Sequence, residues 1–274
     1  MTPDNFKFVS ELLYKKSGLV IGQEKAYLLE NRLGPLARKY DHADLDRLIE
    51  ALRIKPNGDL CNEVVDVMTT NESLFFRDNK PFEQLKTTTF PYLLKTRSAR
   101  SKLRIWSAAA STGQEPYSIA MVIGEEEQKF KDWSIEILGT DLSPAALERA
   151  KTGIYSQFEV QRGMGVQMLL KYFNKSGDKW QINENIRKMA KFELFNLLDD
   201  PTRFGTFDII FCRNVLIYFD KETKAAVLNR ISKVLAPDGV LFLGAAETIL
   251  GLNTVFKPID GARGAFSLPQ AAMA

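Results

Sequence analysis

The stretch Leu103-Arg104-Ile105-Trp106-Ser107-Ala108-Ala109-Ala110-Ser111-Thr112-Gly113-Gln114-Glu115-Pro116-Tyr117 decides how the rest of the chain is read. Its first half, 103–110, is apolar and strand-like, 117–123 is helix-like, and 135–138 is a second short apolar strand. Together they make one βαβ unit whose connecting loop is built from small residues. The rhythm resumes at 207–212, at the helical stretch 221–235, and at 240–244 after a turn at Pro237-Asp238-Gly239. Strands alternating with helices predict a mostly parallel sheet covered on both faces, a Rossmann-like α/β domain. Between 153 and 195 the rhythm breaks. That interval is too long for one crossover and carries polar turn residues at 174–178, which predicts an inserted subdomain with a small antiparallel sheet around 179–182 and 191–194.

Upstream the period changes. Phe6, Val9, Leu12 and Leu13, then Tyr27, Leu28, Leu33 and Leu36, then Leu45, Leu48, Ile49 and Leu52 recur at helical spacing and predict a bundle of short helices. Ser17-Gly18 and Lys55-Pro56-Asn57-Gly58 punctuate the bundle, and Pro35 is expected at a helix start or kink rather than mid-helix. The expected organisation is an all-α domain over 1–85, a linker over 86–101 and the α/β domain over 102–274, with the β-subdomain insertion near 153–195.

With 274 residues, 45% hydrophobic and 26% charged, the chain has ample apolar material for two cores. A formal charge of +3 is too mild to argue for nucleic acid by itself. Two stretches are locally basic: Lys86, Lys95, Arg97, Arg100, Lys102 and Arg104 run without an acid between them, and Lys171, Lys175, Lys179, Arg187, Lys188 and Lys191 are offset only by Asp178 and Glu184. Either could meet an acidic partner or simply be solvated. Cys61 and Cys212 are far apart and sit in apolar runs, as expected for buried reduced thiols in a cytoplasmic protein. His42 is the only histidine, which disfavours a Ser-His-Asp hydrolase or a His/Cys zinc site, and no metal is expected. No signal-like apolar core opens the chain and no run approaches the roughly 20 apolar residues of a membrane span, so no membrane insertion is expected.

An open parallel sheet binds its ligand at the carboxyl ends of its strands, which directs attention to the loop after 103–108. Small residues there allow close backbone approach, with Gly113 supplying the turn's freedom. The dinucleotide pattern GxGxxG is absent. Glu115, at the helix start, suits the helix dipole on structural grounds alone, but it repels phosphate and can hold an ammonium group. S-adenosyl-L-methionine carries such a group and no phosphate. Asp141 ends the second strand, where a carboxylate accepts both ribose hydroxyls of an adenosine; Ser143 before Pro144 is the better helix cap. The apolar run 207–212 delivers Arg213 and Asn214 to the same edge, and the odd mixture 68–78 is read either as a helix-capping loop or as a site element.

Three separated motifs, Asn71-Glu72-Ser73-Leu74-Phe75-Phe76-Arg77, residues 109–118 of the loop and helix start, and Cys212-Arg213-Asn214-Val215-Leu216-Ile217-Tyr218-Phe219, resemble the bacterial chemotaxis receptor methyltransferase family CheR over nearly the whole chain. The resemblance implies a small helical domain joined to a class I methyltransferase domain with a β-subdomain. It also implies transfer of a methyl group from S-adenosyl-L-methionine to glutamates on chemoreceptor cytoplasmic helices, leaving S-adenosyl-L-homocysteine. The family's cofactor contacts fall on Asn71, Ser73, Arg77, Glu115, Asp141, Asn196, Leu197, Arg213 and Asn214. Ser73 stands where threonine is frequent, which keeps the hydroxyl.

Arg77 is expected to orient the substrate carboxylate, with Tyr218 a second donor near the methyl, and Lys25, Arg32, Arg38 and Lys39 to present a basic face to the receptor. The short loop 174–180 leans towards independence from the receptor C-terminal pentapeptide that some members dock. A monomer acting on receptors in the cytoplasm, with no nucleic-acid partner, is the expectation. A nucleic-acid methyltransferase and a non-catalytic cofactor-binding module are the competing readings.

Overall fold

Four helices occupy the first 68 residues because each carries one apolar stripe: α1 (Pro3–Ser17), α2 (Ala26–Lys39), α3 (Leu45–Ile54) and α4 (Asp59–Met68). In this computed structural model, which describes residues 1–99 and 101–269, they form one compact unit, Met1–Thr70 with Tyr218–Thr223. Val9, Leu13, Leu29, Leu33, Leu48, Ile49, Leu52 and Val64 are fully buried in it. Thr2 caps α1 by accepting the Asn5 amide, and Gly18, at φ 76°, ends it, as the Ser17-Gly18 pair predicts. Pro35 departs from expectation, because it lies inside α2. Buried Leu29 and Leu33 before it and Leu36 and Ala37 after it keep one face packed through the missing donor.

Arg32 also departs from its expected place on a basic face. Its guanidinium donates to the carbonyls of Met68 at 2.7 Å and Thr69 at 3.2 Å and to the Thr70 hydroxyl at 3.1 Å, closing the C-terminal end of α4. Lys39 pairs with Glu63 at 2.6 Å. Lys25 and Arg38 are the two residues of that set left as exposed, unpaired cations in the described structure.

The second unit, Asn71–Ile217 with Lys224–Ala274, is built on a seven-stranded sheet. Its helices are α5 (Lys80–Gln84), α6 (Phe90–Thr96), α7 (Gln114–Glu125), α8 (Glu127–Phe130), α9 (Pro144–Thr152), α10 (Gln157–Gln161), α11 (Val166–Tyr172), α12 (Glu184–Arg187) and, beginning in the chain's return segment, α13 (Lys221–Ser232). The strands are β1 (Lys102–Ala108), β2 (Ser134–Asp141), β3 (Ile154–Ser156), β4 (Phe173–Ser176), β5 (Lys179–Ile182), β6 (Ala190–Leu194), β7 (Phe207–Cys212), β8 (Leu235–Leu243), β9 (Lys257–Pro258) and β10 (Ala265–Ser267). The order is β6-β2-β1-β7-β8-β10-β9, with every pair from β6 to β8 parallel and β10 antiparallel to both neighbours. From β1 the chain goes outward to β2 on one side and later to β7 on the other, so β1 marks the point where the winding reverses and a crevice opens. The register Ala108↔Thr140 ends β1 and β2 together, which brings the small-residue loop beside Asp141.

Three expectations are corrected here. The strand near 191–194 is β6, an edge strand parallel to β2 in the main sheet; the small antiparallel sheet is instead β3-β5-β4. Pro237-Asp238-Gly239 is not a turn into a strand but an irregularity within β8, whose pairing with β7 jumps between Phe207↔Leu235 and Ile209↔Val240. The segment expected as a linker, 86–101, carries a π-helical stretch at Leu85–Thr89 that runs into α6, because Phe82, Leu85, Phe90 and Leu93 bury in one cluster with Leu103 and Ile105 of β1. The second unit accordingly starts at Asn71 rather than beyond 85. Arg100, in that expected linker, lies outside the described residues.

Arg32→Ala is expected to lower the stability of the helical unit by about 1–2 kcal/mol through the lost helix-end hydrogen bonds. Thermal or urea unfolding measures this, and an unchanged midpoint would contradict the capping role.

Candidate active site

The loop after β1 is held in place by the end of β2. The amides of Ala109 and Ala110 both donate to the Thr140 carbonyl, at 3.0 and 2.8 Å. The Ser111 amide donates to Asp141 Oδ2 at 2.7 Å, and the Ser143 amide to Asp141 Oδ1 at 2.9 Å. Asp141 is 9% exposed, and its carboxylate is fixed from both sides at the strand ends. Ser143 caps α9 through the Ala146 amide with Pro144 following it, so Asp141 is not needed as the cap. The Ser111 amide is spent on this carboxylate. Gly113 has φ 95°, and a Cβ there would sit 3.0 Å from both Ala150 Cβ and the Tyr155 hydroxyl, so the turn has neither the conformation nor the room for a side chain.

Glu115 opens α7 on a different network. Its Oε1 accepts from the Ser107 hydroxyl at 2.8 Å and its Oε2 from Arg213 Nη1 at 2.8 Å. Arg213, with its side chain 1% exposed, also donates from Nη2 to the Arg77 carbonyl at 2.7 Å and to Asp78 Oδ2 at 2.8 Å. Two carboxylates therefore face one guanidinium, and the cluster keeps a net charge of −1, the sign that attracts an ammonium group. The Arg213 Nε is buried without a partner in the described structure.

The segment from Asn71 to Asp78 is clamped by that guanidinium and by two hydroxyls: Ser111 Oγ donates to the Asn71 carbonyl at 2.8 Å, and Ser118 Oγ accepts the Phe76 amide at 2.9 Å. Both readings of 68–78 keep a part: 68–70 close the end of α4 against Arg32, and 71–78 pack in the second unit with Phe75 buried beneath them. The Arg77 guanidinium, partly exposed, donates to the Glu72 carbonyl at 3.2 Å. Asn196 follows β6; its side chain accepts the Leu198 amide at 3.0 Å, and the preceding Phe195 amide donates to the Asp141 carbonyl at 3.0 Å.

Asn71, Ser73, Arg77, Glu115, Asp141, Asn196, Leu197, Arg213 and Asn214 all fall in the second unit. Tyr218 does not: it ends the short helix Leu216–Tyr218 and groups with the helical unit, where its carbonyl accepts the Val20 amide at 3.0 Å. Sequence reasoning gave no role to Ser107, Ser118 or Asp78, although each lies in a stretch it singles out, and it missed Glu247, whose partners at 214–216 are brought close only by the fold.

About half of the cations in the basic stretches are paired. Arg97 pairs with Asp208 and Asp238, Arg104 with Glu136, Lys86 with Glu126, and Arg187 and Lys188 with Glu184. Cys61 and Cys212 are buried free thiols, and burial pushes both up from the usual thiol range. Among the described residues, no helix is long and apolar enough to cross a membrane.

A winding reversal with a small-residue loop, a carboxylate at the end of β2 and an acidic helix start are the features expected of an S-adenosylmethionine-dependent methyltransferase. The chain belongs to the CheR methyltransferase family: residues 71–265 match its SAM binding domain and residues 4–69 its all-alpha domain. It is 40% identical over 260 residues to chemotaxis protein methyltransferase Cher2 of Pseudomonas putida, covering 93% of this chain and 94% of that one. It is 41% identical to chemotaxis protein methyltransferase 1 of Pseudomonas aeruginosa over 93% of this chain and 94% of the relative. Against the chemotaxis protein methyltransferase of Vibrio parahaemolyticus the identity is 38%, with 94% of each chain covered. The chain is a methyltransferase of the chemotaxis family with S-adenosylmethionine as methyl donor.

Arg213→Ala leaves Glu115 and Asp78 without their counter-charge, and about 3–5 kcal/mol of stability is expected to go with it. Thermal unfolding measures the loss; a variant as stable as its parent would contradict the buried pairing.

Proposed function

We propose that the chain methylates glutamate side chains on the cytoplasmic helices of chemoreceptors, giving glutamate 5-O-methyl esters and S-adenosylhomocysteine. The observation that carries this reading is the clamp on the segment from Asn71 to Asp78: Arg213 holds the Arg77 backbone at the same sheet edge as Glu115, while the Arg77 guanidinium stays partly exposed. An arginine so placed is suited to orienting a carboxylate. The names of the relatives, all chemotaxis protein methyltransferases, support the receptor as the source of that carboxylate.

A glutamate carboxylate, with a reference pKa of about 4.3, is ionised at neutral pH and needs no general base. His42 lies between α2 and α3 in the helical unit and has no part in the chemistry. The bound cofactor supplies an electrophilic sulfonium methyl. Asp141 holds the ribose through its hydroxyls, Glu115 takes the ammonium group, and Asn71, Ser73, Asn196, Leu197, Arg213 and Asn214 complete the cradle. Arg77 sets a carboxylate oxygen in line with the methyl, which is a matter of proximity and orientation. Too tight a grip on the ground state would slow attack, so its contribution lies in geometry. Receptor docking falls to Lys25 and Arg38, the exposed cations of the helical unit, drawn to acidic methylation helices.

The test incubates the protein with methyl-labelled cofactor and receptor cytoplasmic fragments, and treats the product with mild base. Label released as methanol is expected, and base-stable label would contradict the ester. In the same assay Arg77→Ala is expected to keep S-adenosylhomocysteine affinity and lose turnover by about 10²–10³-fold; near-normal turnover would remove Arg77 from its role.

A further inference from the structure

The turn that leaves β7 is held by a carboxylate outside the cradle named above. Glu247 Oε2 accepts the amides of Asn214 at 2.9 Å and Gly244 at 2.6 Å, and Oε1 accepts those of Val215 at 3.0 Å and Leu216 at 2.7 Å. Four backbone donors from two strand ends converge on one half-buried carboxylate, each oxygen taking two. Successive amides curled around an anion form a concavity that neutral groups fill poorly. The curl depends on Asn214, which holds φ 59°, a left-handed conformation that costs a non-glycine residue energy and persists only when its surroundings impose it. Gly244 leaves no slack: a Cβ there would lie 2.7 Å from Glu247 Oε2 and 2.8 Å from Asn214 Nδ2.

We infer that Glu247 is a positioning residue for the cofactor site, fixing the left-handed turn at Asn214 and thereby the direction of the Asn214 side chain and the anchorage of Arg213 beside it. The inference rests on the reading of Asn214 as a cofactor contact. A glutamine at 247 keeps the shape but turns an NH2 group towards two amide donors, so charge and acceptor count matter as well as size. Glu247 itself touches neither cofactor nor substrate and acts through the backbone of 214–216.

The experiment titrates S-adenosylhomocysteine calorimetrically into the full chain and into Glu247→Ala, well below the melting temperature of each, with excess formate or excess formamide. The parent chain binds. Glu247→Ala is expected to bind about tenfold more weakly, equivalent to ~1.4 kcal/mol. Formate, a carboxylate small enough for the emptied concavity, restores most of the affinity, and neutral formamide does not. Unchanged affinity, or a loss that formate fails to repair, overturns the inference while leaving the cofactor reading intact. A parent chain that does not bind S-adenosylhomocysteine overturns the cofactor reading itself and the inference with it. Should Glu247→Ala not fold, Glu247→Asp carries the test with the charge one methylene short: weakened binding supports the inference, and parental affinity overturns it.

Discussion

A guanidinium with only 1% of its side chain exposed cannot be left unpaired, and Arg213 imposes that requirement on everything around it. Its partners come from two distant parts of the chain, Glu115 at the start of α7 and the segment carrying Arg77 and Asp78. Satisfying one buried charge therefore brings the cofactor loop and the proposed substrate-orienting arginine to one sheet edge. Asp141 performs the corresponding task on the other side of β1, where it fixes the loop through Ser111.

These clamps sustain a backbone that would not hold by itself. Among the described residues, eight that are not glycine have positive φ, and six of them, Phe76, Asp78, Asn79, Ala109, Ser111 and Asn214, lie in the loops of this edge. Such conformations cost of order 1–3 kcal/mol each and persist only where surrounding structure over-determines them. Their concentration here, against Asp41 alone in the bundle of α1 to α4, places most of the local strain at this sheet edge. The proposed chemistry has matching demands: an ionised carboxylate meeting a sulfonium methyl needs alignment and little else.

What the sequence disclosed followed from local chemistry. β7 was legible because all six of its residues are buried, Asp141 because Ser143-Pro144 already supplied the cap, and Glu115 because a helix start is a readable place. What it concealed was nonlocal. Residues 191–194 alternate polar and apolar as an edge strand does, but alternation does not say which sheet the strand borders. Arg32 looks like a surface cation until the end of α4 is brought against it. Pro35 misleads because burial on both sides outweighs one lost hydrogen bond. Glu247 answers amides some 30 residues earlier in the chain, and no spacing rule connects them.

The account stands on two carboxylates meeting two ends of one adenosyl ligand. A crystal structure of the chain with S-adenosylhomocysteine bound tests it most directly. The account predicts both ribose hydroxyls within hydrogen-bond distance of the Asp141 carboxylate and the ammonium group on Glu115. A ligand whose ribose lies away from Asp141, or whose amino group turns from the Glu115 and Arg213 cluster, would contradict it.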